Sequence, residues 1–594
     1  MRETQPQPGS DNEGVSRPQD FDAQMAASDT RRTDRTPLRE KAVQRAQNLR
    51  TICFGFGLLS GGVTLALIVQ LIAGEPQLKK HGAVASTSKD CSEVGTDILH
   101  KGGNAVDAAI ATVFCIGLTR PQYTGIGGGG FMLIHNHKTH DSELLDFRET
   151  APAQAQPEDQ FKENLENIQI ERRLSGKGVG VPGEVKGLWE AHQKYGKLDW
   201  ASLLKPAIKL AKEGVPITDN WEIDLNRRSE DWNEIKETRE NFQNTFVTPI
   251  ENQEKVLKRP KLAAVLEALA EKGPDPVYEG KYAQEIVDSV KKNGGVMSLE
   301  DLKNYEVIHR KPVTADVNGY KIETFPTPSC GPILLRILME LNKAKWQKKE
   351  FKSAEYYAQL GNILKRAYVC RNSLGDNPKS RKHQKLIINS TYSLNEVCVQ
   401  SDPVHENHGT SHISVIDRSE LMVALTTSLN YWYGSMIMTD SGILLNNELA
   451  DFDETSENNK LEPNKRPMSG MVPTVIYHLE RPCKTRLSIG GVNGSKIVSG
   501  VAQVAGNVIL FEKSLQESIN AGRMFCNEED CWIAGEDEAL AKKVEDLMRS
   551  QYDNPNVRVF AHSEMQSIVG ATMKWDEKWA AYTDRYSEWG SSSI

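Results

Sequence analysis

The chain has 594 residues, 26% of them charged and 39% hydrophobic, with a formal net charge of −8 and a mean hydropathy of −0.50. These averages exclude a disordered chain, which holds fewer apolar residues, and a polytopic membrane protein, which holds far more. A pI of about 6.0 with no Lys/Arg-dominated stretch past residue 50 excludes a basic nucleic-acid binder, and nine cysteines without CxxC spacing argue against a structural zinc module.

In chain order, residues 1–50 come first as a polar, Pro-rich tail (QPQPGSDNEG, then RRTDRTPLRE), expected to be disordered. Residues 51–74 (TICFGFGLLSGGVTLALIVQLIAG) hold no charged side chain. At about 1.5 Å per residue a helix of this length spans about 36 Å, enough to cross a bilayer core. Arg31–Arg50 carries seven basic residues and two acidic ones, whereas Lys79 and Lys80 are the only basic residues close behind the stretch. The positive-inside rule then puts the N terminus in the cytosol and the body outside or in a lumen, as a single-pass type II protein. Eight of the cysteines lie in that body, where an oxidising compartment lets them pair. Asn389-Ser390-Thr391 is an acceptor sequon that suits this side of the membrane.

The body reads as mixed α and β. A helix over Lys89–His100 sets Cys91, Val94, Gly95, Ile98 and Leu99 on one face and ends at Gly102-Gly103. Asn104 caps the next, with Asp107 three residues on and an apolar run to Leu118. GIGGGG (Gly125–Gly130) leads into FMLIH and, past a polar turn, ELLDF: a Gly-rich turn into a hairpin. The glycine run lacks the Gly-Lys-Ser/Thr ending of a phosphate loop, so it is expected to give close packing of a sheet against a helix. Asp199–Gly214 spaces Leu203, Leu204, Ala207, Ile208 and Ala211 as a second helical stretch. The charged residues 220–260 read as a solvated helical face. HISVID and LMVALTTSL open the C-terminal third as strands, and no repeat of 20–50 residues occurs.

The informative stretch is 405–495: HENHGTSH, TTSLNYWYGS, SGILLNNELADF, KRPMSGM and IGGVNGS. With DFRETAP (Asp146–Pro152), GIGGGG and VPGEVKG (Val181–Gly187), these motifs resemble the γ-glutamyltransferase (glutathione hydrolase) family, in the family's order and over roughly residues 82–590, most closely its membrane-anchored branch. The resemblance implies an N-terminal-nucleophile hydrolase fold, a four-layer αββα sandwich behind an N-terminal transmembrane helix. It also implies a chain that cuts itself between Gly409 and Thr410. The expected divisions are therefore a 1–50 cytoplasmic tail, a 51–74 signal anchor, and ectodomain parts 75–409 and 410–594 forming a heterodimer.

The chemistry of such a nucleophile is general. A threonine hydroxyl needs an adjacent base, and the α-amine freed by the cut titrates near 7.7–8.0 and can take its proton. Glycine before the cut is expected to permit a strained backbone there. By motif match, Arg148 holds the α-carboxylate of a γ-glutamyl group, Ser469 adds a hydrogen bond to it, and Glu448, Asp451 and the Asn430 oxygen hold the α-ammonium. Asn493 and Gly494 supply oxyanion N–H groups, and Ser428 stands for a second threonine near the nucleophile. The implied substrates are glutathione and other γ-glutamyl compounds, with water, amino acids or dipeptides as acceptors, and no metal, organic cofactor or nucleic acid.

The chain departs from the family's pattern in several places. Asn493 replaces a glycine, Gly470 the second serine of a Ser-Ser pair, Trp432 a lid tyrosine, and Tyr586 lies where an acceptor-site lysine can stand. These motivate a second reading, a catalytically inactive ectodomain that binds a partner. Asn493-Gly494-Ser495 is also a sequon, expected to stay unmodified. His405, His408 and His412 have near-helical spacing, but Gly409 interrupts it and no His-Glu-x-x-His pattern is present, so His412 is expected to support the nucleophile turn. Cys91 and Cys115 fit the family's N-terminal disulfide; Cys526 and Cys531 are either a second pair or free buried thiols.

Overall fold

In the computed structural model, which describes residues 36–72, 82–156, 165–389, 391–398, 409–481, 484–527, 530–552, 554, 557–562, 569–575, 578–583 and 590–593, the chain divides into two units, 1–78 and 79–594. The described part of the first is one helix, Thr36–Ile72. Arg39–Ile68 within it is long and apolar enough to cross a membrane. Leu58, Leu59, Val63, Leu65 and Leu67 are all exposed, so the helix is apolar around its circumference rather than along one stripe. It already covers Thr36–Arg50, the end of the tail read as disordered. Ala, Leu, Arg and Gln are strong helix formers there, and the apolar stretch continues the helix without a break.

The second unit is built on two stacked sheets. The first has seven strands in the order Gly590–Ser593, Gly82–Ser86, Gly409–Asp417, Leu421–Asn430, Gly129–Asn136, Asp141–Phe147 and Ile308–Arg310, every neighbour antiparallel. The second has six: Lys578–Tyr582, Val569–Trp575, Arg486–Gly491, Thr474–His478, Tyr320–Thr324 and Val313–Val317. Side-chain alternation along a strand explains the layering. In Gly129–Asn136, Phe131 and Leu133 join the core shared with the second sheet, while Met132 and Ile134 join the core under helices. Lys89–His100, Ala105–Thr119 and Glu184–Tyr195 cover the first sheet; Gly331–Lys343 and Lys496–Leu510 cover the second. This is the expected four-layer αββα sandwich.

Local signals account for the helices. Asn104 and Asp107 form a reciprocal capping box on Ala105–Thr119. Trp200–Glu213 starts at an Asp199 cap and stops at Gly214, and buries Leu203, Leu204, Ala207 and Ala211. Cys91–Cys115 ties the first two body helices together, worth about 2–4 kcal/mol on typical figures. Cys526–Cys531 is also a disulfide, across the paired strands Arg523–Cys526 and Asp530–Ala534. A third bridge, Cys370–Cys398, had no sequence signal.

Two further expectations are corrected. Residues 220–260 are a series of short helices rather than one solvated face, and they bury Trp221, Phe242 and Phe246. Their arginines staple a loop: Arg228 Nη1 donates to the Trp432 and Gly434 carbonyls at 2.6 Å, and Arg259 Nη2 to Gly442 at 2.9 Å. Charge density does not distinguish a guanidinium in water from one that satisfies buried carbonyls. The glycine run, in turn, packs mainly on neighbouring backbone rather than a helix. A Cβ on Gly128 or Gly130 would lie 2.1 or 2.2 Å from the Ser428 or Thr426 carbonyl oxygen of the next strand.

Candidate active site

The Gly409–Asp417 and Leu421–Asn430 strands pair regularly as far as Ser411 opposite Thr427, and then the register shifts so that Gly409 meets Asn430. One extra residue in the second strand makes a β-bulge, a device that re-aims side chains. Thr410, buried, lies opposite the bulge that holds Ser428. Ser428 Oγ donates to the Gly409 carbonyl at 2.5 Å and accepts from the Asn430 N–H at 2.7 Å. Asn430 turns the corner at φ +75°, a left-handed conformation that asparagine adopts more readily than most residues. Clearance demands the glycine of Gly409: a Cβ there would lie 2.4 Å from the Asn430 carbonyl oxygen.

From Asn430 a polar network runs across the site. Asn430 Nδ2 donates to Asp451 Oδ1 at 2.9 Å and to the Asn447 carbonyl at 3.2 Å, which commits the amide nitrogen and leaves the side-chain oxygen as its remaining acceptor. Arg148, 1% exposed, donates from Nη2 to Asp451 and from Nη1 to Glu448, each at 2.5 Å. Its Nη2 also reaches the Met468 carbonyl at 3.1 Å, next to Ser469. The Ser469 hydroxyl accepts from the Met471 N–H at 3.1 Å. Gly470 abuts the last motif, since a Cβ on it would lie 2.9 Å from the Gly494 carbonyl oxygen. Asn493 and Gly494 are both left-handed, φ +79° and +54°, just before the Lys496–Leu510 helix. Among the described residues no acceptor takes the Gly494 N–H.

Charge in this network is set by burial. Burial opposes the Arg148 charge, but Glu448, Asp451 and Glu149 more than reverse that and hold it ionised. Burial pushes the Glu448 carboxyl up, Arg148 pulls it back, and Asp451 pushes it up again. Glu448 Oε1 is buried without a hydrogen-bond partner among the described residues. Glu149, fully buried with neither oxygen partnered among those residues, is driven well above the carboxylate range by burial and then by Glu448. Arg148 thus faces two carboxyl groups, Glu448 and Asp451, within direct ion-pair distance, and Glu149 lies further off at 3.8 Å.

The structure thus joins Ser428, Asn430, Arg148, Glu448 and Asp451 in one bonded series that starts at the Gly409 carbonyl, next in the chain to buried Thr410, and sets Ser469, Gly470, Asn493 and Gly494 along one further line of contacts. Trp432 is half-buried against the core under the first sheet's helices, with the Arg227 guanidinium 5.1 Å above its ring. His412 is buried with Nδ1 2.9 Å from Thr426 Oγ1 and Nε2 2.8 Å from Ser414 Oγ. His405, His408 and Tyr586 lie outside the described residues. Sequence reasoning missed Asn446 and Glu184. The Asn446 side chain bonds Gly127, Gly180 and the Glu448 N–H, tying its own motif to the glycine run and to the residue just before Val181. Its only signal was a polar Asn-Asn pair inside an apolar run. Glu184, pushed up to about 8 by burial, accepts from Thr427 Oγ1 at 2.6 Å behind the bulge.

A family model described as gamma-glutamyltranspeptidase matches residues 91–592. The glutathione hydrolase proenzyme of Bacillus subtilis is 34% identical over 486 residues, 75% of this chain and 81% of that protein. Glutathione hydrolase 7 of Homo sapiens is 33% identical over 502 residues, 80% of this chain and 73% of that protein. Among solved structures, a cephalosporin acylase from Bacillus halodurans superposes with a TM-score of 0.73 at 21% identity, covering 86% of this chain and 96% of that one, a likeness of fold.

Proposed function

The chain belongs to the gamma-glutamyltranspeptidase family, and on that premise we propose that it is a membrane-anchored γ-glutamyl hydrolase and transferase of glutathione and its conjugates, matured by self-cleavage between Gly409 and Thr410. The reading is carried by one observation: the unbroken series from the Gly409 carbonyl through Ser428, Asn430, Asp451 and Arg148 to Glu448.

Maturation comes first. The Ser428 hydroxyl, donating to the Gly409 carbonyl, withdraws electron density from the carbon that the Thr410 hydroxyl attacks in an N-to-O shift. That shift breaks the Gly409–Thr410 amide and frees the Thr410 α-amine; water then hydrolyses the resulting ester, releasing the Gly409 carboxylate and restoring the Thr410 hydroxyl. In turnover that amine takes the Thr410 hydroxyl proton as Oγ adds to the γ-glutamyl carbonyl. The oxyanion is met by the Asn493 and Gly494 N–H groups, which positive φ turns toward one side of the loop. The amine passes its proton to the leaving nitrogen, and cysteinylglycine departs from glutathione. Water, an amino acid or a dipeptide resolves the acyl-enzyme, so neither metal nor organic cofactor enters the reaction.

Binding a γ-glutamyl group requires exchange of partners. Arg148 now spends its donors on Asp451 and Glu448. A substrate α-carboxylate takes over part of the guanidinium, with Ser469 beside it, and the α-ammonium takes the carboxylates so released together with the Asn430 oxygen. Gly470 lacks a hydroxyl that could add to this grip, and that absence is what favours an inactive binding ectodomain as the alternative. The test is release of chromophore from a γ-glutamyl anilide by the purified full chain, beside a denaturing gel. Two bands and turnover are expected from the natural chain, and one 66.2 kDa band without turnover from Thr410→Ala. A single band from the natural chain with no chromophore release would reject the enzyme reading.

A further inference from the structure

Away from that network the molecule gathers three imidazoles. The Gly129–Asn136 and Asp141–Phe147 strands are joined by a tight turn, and the sequence through it reads His135-Asn136-His137-Lys138-Thr139-His140. Strand alternation sends His135, like Phe131 and Leu133, toward the second sheet. There its ring is fully buried and stacked on Tyr477 with centroids 4.6 Å apart. His137 is buried two residues on, and its backbone N–H donates to the Glu420 carbonyl at 3.0 Å. His140 is exposed and holds φ +58°, a turn conformation that folds it back over the other two. Ring centroids are 5.8, 6.4 and 5.1 Å apart. One ligating nitrogen from each residue lies within 4.8 Å of the others.

His135 supplies a separate indication. Its Nδ1 is 2.7 Å from Ser142 Oγ, and the Ser142 hydroxyl donates to Glu323. Glu323 also accepts from Tyr477 Oη at 2.8 Å. Its Nε2 is buried with no hydrogen-bond partner among the described residues. An imidazole anchored at one nitrogen through a hydroxyl to a carboxylate, with the other nitrogen bare, is how metal-bound histidines are oriented. Without a ligand that bare nitrogen is an uncompensated buried acceptor or donor.

We propose that His135, His137 and His140 bind one divalent transition-metal ion of the zinc class, with water in the fourth position. Imidazole donors select zinc and its neighbours over calcium and magnesium, which prefer oxygen. Zn–N bonds of about 2.0–2.1 Å place tetrahedral nitrogens about 3.4 Å apart, so the set must contract, and exposed His140 supplies the movement. The ion clamps the hairpin turn to the second sheet through Glu323 and Tyr477. It is remote from the reaction: His135 is opposite Met422 and Gly129 opposite Ser428 in the register, a separation of roughly 20 Å at about 3.4 Å per residue.

The full-length protein, in detergent and purified through a tag without histidines, is stripped with chelator, given zinc or cobalt, and desalted. One zinc per chain by elemental analysis is expected, with a melting temperature that rises on loading and falls again with chelator. Cobalt is expected to give the intense visible absorption of a four-coordinate ion. His140→Gln, on an exposed turn, is expected to melt like the natural chain in chelator, to bind zinc about tenfold or more weakly, and to lose the cobalt band. Zinc well below one per chain would overturn the proposal. So would full retention by a His137→Gln, His140→Gln double variant.

Discussion

Burial holds the His412 imidazole neutral, pushing its pKa down to about 3, whereas an unfolded histidine titrates near 6.5. Between those values the unfolded chain binds the extra proton, so this residue adds stability above about pH 6.5 and withdraws it as pH falls toward 3. His412→Gln is therefore expected to flatten the loss of stability between pH 7 and 4.5, measured as urea midpoints for both chains; parallel slopes would refute it. At this scale Arg148, Glu448 and Asp451 were legible only through the motifs that carry them, since each taken singly reads as a surface charge. Glu149 was not. It follows Arg148 in sequence and looks like its partner, yet the nearest oxygen is 3.8 Å from the guanidinium and only burial reveals it as a neutral acid.

The bulge between the 409–417 and 421–430 strands has its own energetic signature. Because the Asn430 carbonyl fills the space where a Gly409 side chain would go, Gly409→Ala is expected to destabilise the fold by about 1–3 kcal/mol through overpacking. The Thr410→Ala background keeps the chain intact while this is measured by urea denaturation; a change under about 0.5 kcal/mol would show that the site relaxes. Helices with caps and apolar spacing, Ala105–Thr119 and Trp200–Glu213 above all, were readable because those signals are local. The bulge was not, since register depends on both strands at once. Residues 220–260 misled for a related reason: Arg228 finds the carbonyls of Trp432 and Gly434 about two hundred positions away. Cys370 and Cys398 likewise meet only because two helices fold back between them.

At the scale of the whole molecule, the Thr36–Ile72 helix is expected to fix how the chain is handled by the cell. Val63→Arg with Leu67→Arg adds about 5–7 kcal/mol to the insertion free energy of a segment that is only moderately apolar. The doubly substituted protein is expected in the soluble fraction after alkaline extraction, without the glycosidase-sensitive mass that is expected of the natural chain at exposed Asn389. Membrane retention of the variant, or an unmodified Asn389 in the natural chain, would contradict the orientation read from Arg31–Arg50. The first sheet, meanwhile, takes Gly82–Ser86, Gly129–Asn136, Asp141–Phe147 and Ile308–Arg310 from before Thr410 and Gly409–Asp417, Leu421–Asn430 and Gly590–Ser593 from around and beyond it. None of the three disulfides among the described residues crosses that point. A cut there would leave the native packing in place but change the order of the refolding reaction. The intact chain recovers its sheet in a first-order process, whereas two severed pieces must find each other at a rate set by their concentration. Maturation would thus act as a ratchet, letting the molecule fold unaided once and then making thermal unfolding effectively irreversible at low concentration.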